Sequence, residues 1–171
     1  MSALSAGVSI RPATTADIRA IRDLIEPLVA SRVLLGKELV MLYEAVQEFM
    51  VAVKGNEVVG CGALHVFWEN LGEVRTLAVA EGHTAHGIGS ALLDALEQKA
   101  SILGLSQLFC LTFEVGFFSH HGFEQVEEPI VDPEVYVELV RSPDEGVAEF
   151  LDLARVKPNT LGNSRMVKNL T

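Results

Sequence analysis

The β-prone run Glu73-Val-Arg-Thr-Leu-Ala-Val79 leads through a polar loop, Ala80 to His86, into Gly87-Ile88-Gly89 and then a strong helical pattern. The helix carries a stripe of Ile88, Leu92, Leu96 and Leu103, and Gly104 is placed to terminate it. A helix N-terminus offers free N–H groups and the positive end of the peptide dipole, which together bind phosphate oxygens. Glycines at 87 and 89 remove side chains that would block that approach. A tight strand-to-helix turn has the same need of glycine, so the Gly-x-Gly pattern by itself leaves both readings open. A dinucleotide fingerprint would need a third glycine where Leu92 stands, and no Gly-Lys-Ser/Thr follows to make a Walker loop.

The flanking sequence places this unit in an α/β plan. Ile10-Arg-Pro12 reads as a first strand, and Thr14 and Thr15 as caps for a helix with apolar positions Ile18, Ile21, Ile25 and Leu28. A second helix is predicted over Lys37 to Gln47. Phe49–Val53 and Val58–Leu64 form a hairpin around Lys54-Gly-Asn-Glu57. After the central helix come a strand at Gln107–Thr112, a short amphipathic piece at Phe117-Phe118 and a short strand after Gly122-Phe123. Helical pieces over Pro133–Val140 and Pro143–Leu153 and a last strand over Ser164–Leu170 complete the pattern. The order describes a mixed sheet with helices, not a regular βαβ repeat.

Composition narrows the setting. The chain of 171 residues fits one domain, 1–171, and 49% hydrophobic residues suffice for a real core. No window holds the ~20 apolar residues of a membrane span, and the first ten residues lack the pattern of a secretory signal. Cys61 and Cys110 lie in apolar runs and read as buried, reduced thiols of a cytoplasmic protein. A net charge of −10 with only 13 scattered basic residues excludes a nucleic-acid partner, though not a small anionic ligand. The pairs His83-x-x-His86 and His120-His121 have no acidic or cysteine ligand at helical spacing, so no metal is expected. The acidic 127–152 region reads as a solvated helical surface and a candidate contact in a homodimer.

The strand Glu73–Val79, its loop and the His86-Gly-Ile-Gly-Ser90 helix start resemble the acetyl-CoA pyrophosphate motif of GNAT acetyltransferases. Phe117-Phe118-x-x-x-Gly122-Phe123 resembles their later helix-to-strand motif, and Ile10–Asp17 their first strand and helix. The resemblance implies an α/β fold whose mixed, largely antiparallel central sheet is flanked by helices. It further implies acetyl-CoA as co-substrate, held by Leu77, Ala78, Val79, His86, Gly87, Ile88, Gly89, Ser90 and Phe117. Two positions depart from the family pattern. Thr84 replaces the usual Arg or Gln before the first glycine, so that phosphate contact is either lost or supplied by His83 or His86. Phe118 replaces the usual Tyr that protonates the thiolate.

Acetyl transfer needs a neutral amine, and a nearby carboxylate can take its proton. Glu73 opens the central strand where the family often places such a base; it could equally be a solvent-facing strand-end carboxylate. Thr112 ends the neighbouring strand and is a candidate donor to the thiolate. Backbone N–H groups near Leu77 or Ala78 would face the oxyanion.

A narrower resemblance is to the short, stand-alone form of the N-acetylglutamate synthase family, which opens arginine biosynthesis. It rests on Leu42–Phe49, Gly60–Val66, Gly72–Thr76, Leu111–Glu114, Val147–Asp152, Val156–Asn159 and Leu161–Met166. It implies L-glutamate as acceptor, and Arg and Lys are the natural partners of carboxylates. The candidates in motif positions are Lys37, Arg75 and Arg165, with Ser164 as a hydroxyl donor. Arg75 shares Glu73's face of the strand by the two-residue period. Each cation could instead be a solvated surface charge. Competing expectations are another small amine or a protein N-terminus as acceptor, and a non-catalytic acetyl-CoA-binding sensor.

Overall fold

The computed structural model describes residues 4–34, 36–128, 131–151 and 162–170. Strand β1 (Val8–Pro12) is followed by a 3-10 turn at Thr15–Asp17 and by α1 (Ile18–Ala30). Asp17 closes this entry. Its carboxylate accepts from the Thr14 N–H at 2.7 Å and from both terminal nitrogens of Arg11 at 2.7 and 3.0 Å. Next come α2 (Leu39–Glu44), β2 (Phe49–Lys54), β3 (Glu57–Val66), β4 (Leu71–Val79), α3 (Ile88–Ile102) and β5 (Gln107–Thr112). The chain continues through α4 (Val115–His120), β6 (Glu124–Val126), α5 (Pro133–Leu139), α6 (Glu145–Phe150) and β7 (Ser164–Asn169).

Among the described residues the strands form one sheet in the order β1-β2-β3-β4-β5-β7-β6. Every neighbouring pair is antiparallel except β4 and β5, which are parallel. That pairing is brief, from Leu71 opposite Gln107 to Glu73 opposite Phe109, and the two strands carry on without pairing beyond it. The chain closes the far side of the sheet by inserting β7 between β5 and β6, with Met166 opposite Cys110 and Gln125.

Helices cover both faces. On one, Ile18, Ile21 and Ile25 of α1 and Leu42 of α2 pack on Phe49, Val51, Cys61, Ala63 and Ala78. On the other, Ile88, Leu92, Leu93, Leu96 and Ala100 of α3 pack on Ala52, Val59, Leu64 and Val74. Close approach of α3 explains two small residues in β3. A Cβ at Gly60 would stand 3.0 Å from Ile88 and Leu92, and one at Gly62 3.0 Å from Leu96.

Several expectations shift. The second helix is shorter than Lys37–Gln47, ending at Glu44 and continuing as a 3-10 turn at Val46–Glu48. Leu103 is 54% exposed and Ala100 takes its inward place, because residue 100 lies on the α3 face that meets the sheet whereas residue 103 is the cap that follows the helix. Gly104 ends the helix with φ +88 as expected. The helical piece predicted from Pro143 begins at Glu145, and residues 152 and 153 of that prediction lie outside the described residues.

The larger correction concerns the acidic region. It is not merely a solvated surface: Leu139, Val147, Ala148, Phe150 and Leu151 are buried, and Phe150 stacks on Phe109 with ring centroids 3.9 Å apart. Both free cysteines are buried. No helix among the described residues is long and apolar enough to cross a membrane.

Candidate active site

The divergence of β4 from β5 opens a cleft of about 700 Å³. Its lining joins Val74–Val79 of β4, Cys110–Thr112 of β5, the start of α3 and Phe117 of α4. A bulge shapes the β4 wall. Thr76 has φ +56, and the pairing with β3 slips between Cys61 opposite Ala78 and Ala63 opposite Arg75. Two residues of β4 thus face one of β3, which bends the strand and turns its backbone outward. The slip also reverses the side-chain alternation: Ala78 packs with α1, whereas Leu77 and Val79 pack with α3. The Cys61 thiol donates to the Thr76 carbonyl at 3.4 Å, giving that displaced group a partner.

The entry to α3 is built from backbone of alternating hand. Gly82, Ala85 and Gly87 have φ of +84, +64 and +74, and alternation of this kind is what builds backbone N–H nests in proteins generally. Gly87 caps the helix, and Gly87, Ile88, Gly89 and Ser90 all line the cleft with His83, Thr84 and Ala85. His86 differs from its neighbours: it is exposed and lies outside the cleft lining, and its carbonyl accepts from the Ser5 N–H at 3.2 Å. Gly89 stands beside Phe117, where a Cβ would meet the ring at an ordinary 3.4 Å. Thr112 is buried and lines the cleft; its Oγ1 accepts from the Glu114 N–H at 2.8 Å, so the hydroxyl hydrogen points elsewhere. Phe118 is buried between Phe117 and Phe123 and carries no proton to give.

Beside the cleft lies a hollow of about 60 Å³ where the charged groups collect. Glu73 is 3% exposed and sits inside β4, opposite His65 of β3. Arg75 donates from Nε to Glu73, and from its two terminal nitrogens to both oxygens of Asp144 at 2.9 Å each. Asp144 caps α6, accepting from the Val147 N–H at 2.9 Å. His65 Nδ1 lies 2.9 Å from Glu48 and its Nε2 3.8 Å from Asp144. Lys37 lines the same hollow, half-buried, with Glu145 and Glu149.

Burial raises the proton affinity of Glu73, and Arg75 opposes that without cancelling it. Burial would discharge Arg75, but Glu73 and Asp144 outweigh it and keep the guanidinium charged. Asp144 is half-buried, which favours its proton, yet its bonds to Arg75 hold its carboxyl well below the usual range. Lys37 loses proton affinity to burial and then to the nearby Arg75.

The structure separates the remaining candidates from this group. Arg165, opposite Leu111, donates to the carbonyls of Glu127 and Phe150 at 2.6 Å each and lies over the Phe150 ring. Ser164 accepts from the Gln125 side chain at 3.2 Å. Neither lines the cleft or the hollow. The stretch Val156–Asn159 and Leu161 fall outside the described residues.

An acetyltransferase (GNAT) domain profile matches residues 45–125. The chain is 55% identical over 161 residues, 92% of each sequence, to a Mycobacterium tuberculosis protein named amino-acid acetyltransferase. The chain belongs to the GNAT acetyltransferase family. Its fold superposes with TM-score 0.91 on a Mycobacterium tuberculosis crystal structure in complex with CoA and NLQ, at 54% identity over 95% of this chain and 99% of that one. It also matches Neisseria gonorrhoeae N-acetylglutamate synthase complexed with coenzyme A and N-acetyl-glutamate, at TM-score 0.78 and 28% identity. There it covers 99% of this chain but 36% of that one, and it spans only 29% of the amino-acid acetyltransferase of Neisseria meningitidis.

As a GNAT acetyltransferase the chain is an acetyl-CoA-dependent N-acetyltransferase with a mixed, mostly antiparallel sheet. Sequence reasoning missed three parts of this GNAT site. Asp144 was hidden in an acidic stretch, and its one signal was a cap position after Ser142-Pro143. His65 becomes visible only when β3 is set in register with β4. Gly146 lies where a Cβ would come 2.5 Å from Arg75 Nη2, so α6 closes on the guanidinium only with glycine there.

Proposed function

We propose that the chain is an amino-acid N-acetyltransferase that moves the acetyl group of acetyl-CoA to the α-amino group of L-glutamate, the first step of arginine biosynthesis. The carrying observation is the buried Glu73 carboxylate in the hollow beside the open β4–β5 cleft, where Lys37 and Arg75 join it. The pyrophosphate rests on the N–H groups of Gly87 to Ser90, and the pantetheine arm runs between the diverging strands with Leu77, Ala78, Val79 and Phe117 along it. His83 and Thr84 stand at the same anion site and His86 outside it.

With the thioester at the bulge, Glu73 accepts a proton from the acceptor ammonium and the amine attacks the carbonyl carbon. Backbone N–H groups at Leu77 or Ala78 receive the oxyanion. As the C–S bond breaks, the tetrahedral nitrogen gives its second proton to the departing sulfur, which takes a hydrogen bond from the Thr112 hydroxyl. The homologue's name, amino-acid acetyltransferase, supports this acceptor class, and the N-acetyl-glutamate held by the gonococcal enzyme supports glutamate within it.

A second reading has its own observation. Both terminal nitrogens of Arg75 are taken by Asp144, which leaves Lys37 as the hollow's other cation and favours an acceptor with one carboxylate and a neutral side chain. Free-thiol release from acetyl-CoA across L-glutamate, L-glutamine, L-lysine, spermidine and a short peptide separates the two. Highest kcat/KM for glutamate supports the first reading and for glutamine the second. Faster turnover of spermidine or the peptide would defeat both, and no turnover with any acceptor would leave a sensor.

A further inference from the structure

We propose that Asp144 is a positioning residue of the acetyl-transfer site: by holding both terminal nitrogens of Arg75, it fixes the guanidinium and shares its charge, so that Glu73 keeps a carboxylate able to take the acceptor's proton. The proposal rests on the reading of Glu73 as the base.

The geometry begins with a conflict. Arg75 and Glu73 lie on one face of β4, and Arg75 Nε bonds Glu73 directly. A carboxylate paired with an arginine alone binds its proton weakly, by ~1–3 pH units less than usual. A base so weakened takes a proton from an ammonium poorly. Asp144 changes the balance. Its two oxygens meet the two terminal nitrogens in parallel at 2.9 Å, the bidentate fork that best localises a guanidinium. The Arg75 side chain is only 8% exposed, so water does little of this neutralising. One cation thus serves two carboxylates, and Glu73 receives a single bond to Nε.

The placement of Asp144 is held from several sides. It caps α6 through the Val147 N–H, Ser142 Oγ accepts from the Asp144 N–H at 3.2 Å, and Gly146 leaves room for Arg75. Phe150, at the far end of α6, stacks on Phe109, the β5 residue opposite Glu73. The short helix α6 is therefore anchored on the strand beside the base. The charged and titratable groups facing Glu73 are Arg75 on its own strand, His65 from β3, Asp144 from α6, Lys37 ahead of α2 and Cys110 from β5. Glu48 stands behind His65, and Glu145 and Glu149 rim the hollow. Burial does most to raise the proton affinity of Glu73 despite its arginine, and the charge of Asp144 adds to that rise.

The test is the pH profile of kcat/KM in Asp144→Asn and Asp144→Ser, both of which keep a cap for α6. Each removes the charge that shares Arg75, so the acid limb should move down by about one pH unit, with a several-fold lower plateau and unchanged acetyl-CoA affinity. Asp144→Glu should restore part of the wild-type profile. Glu73→Gln, measured alongside, should lose the acid limb and ~10²–10⁴ of turnover. An acid limb that stays in place in both neutral variants, while Glu73→Gln loses it, overturns the role of Asp144 and leaves the base assignment standing. If Glu73→Gln retains the acid limb, the base assignment fails and the proposal fails with it. CoA affinity by calorimetry and thermal melting confirm that each variant is folded.

Discussion

The guanidinium of Arg75 on β4 grips the carboxylate of Asp144, 69 residues further along the chain, through two parallel hydrogen bonds of 2.9 Å. A third bond, from Nε, joins the same cation to Glu73. A buried cation with two carboxylates is costly to desolvate, but removing it alone is worse, because two anions remain without it.

Arg75→Met should therefore destabilise the protein by about 3–5 kcal/mol at pH 8. The sign with pH follows from the two carboxyls. Without Arg75 the folded state would bind protons more tightly at Glu73, a penalty that grows as pH rises through that group's folded-state pKa. Asp144 would lose its lowered proton affinity, which in wild type gives stability above the ordinary carboxylate range. Both changes make the deficit largest at neutral and alkaline pH and smaller near pH 4. Urea titrations of wild type and variant at the two pH values measure it; an equal deficit at both would refute the electrostatic account.

Acetyl-CoA binding should depend on the helix entry. Gly87→Asp places an anion among the N–H groups that open α3, at a φ of +74 that aspartate tolerates. Calorimetry should show CoA binding weakened by ~10–150-fold, the loss expected for one charge-assisted hydrogen bond of ~1.5–3 kcal/mol. Unchanged affinity in a folded variant would move the pyrophosphate elsewhere.

Lys37 and Arg165 should part company. Lys37 shares the hollow with Glu73, so Lys37→Ala should raise the acceptor KM by ~10–150-fold and spare acetyl-CoA. Arg165 spans the Phe150 and Glu127 carbonyls, so Arg165→Ala should lower Tm and disturb both substrates together. An acceptor-specific KM effect for Arg165→Ala would instead place its guanidinium at the acceptor when substrate binds.

The thiols should be silent in the native state. Burial pushes the Cys61 thiol up to about 12, and burial followed by the charge of Glu73 raises Cys110 as well. Only a thiolate reacts quickly with alkylating or disulfide reagents. Colorimetric titration at pH 8 should count no fast thiol in the folded protein and two after unfolding in guanidinium. Rapid labelling of the folded chain would show that β3 or β5 opens locally.

Local sequence determined the elements wherever the signal was short-range. The span of β5 and the hairpin of β2 and β3 follow from β-prone runs and a Gly55-Asn56 turn, and the start of α3 follows from its glycines. The neighbourhood of Glu73 and Arg75 was also legible, since a two-residue period puts them on one face. That same period failed three residues later. The bulge at Thr76 reversed the alternation, and it exists because β4 must satisfy β3 on one edge while leaving β5 on the other.

The partners of Arg75 were a matter for the tertiary structure alone. Lys37, Arg165 and Asp144 are each a charged residue with polar and apolar neighbours, and nothing local says which counter-ion each will meet. Packing of Phe150 on Phe109 carries α6 onto the sheet, which brings Asp144 to the guanidinium and Arg165 to backbone carbonyls. A charge finds its counter-ion through the burial of the apolar residues beside it, and that burial is settled only when the whole sheet has formed.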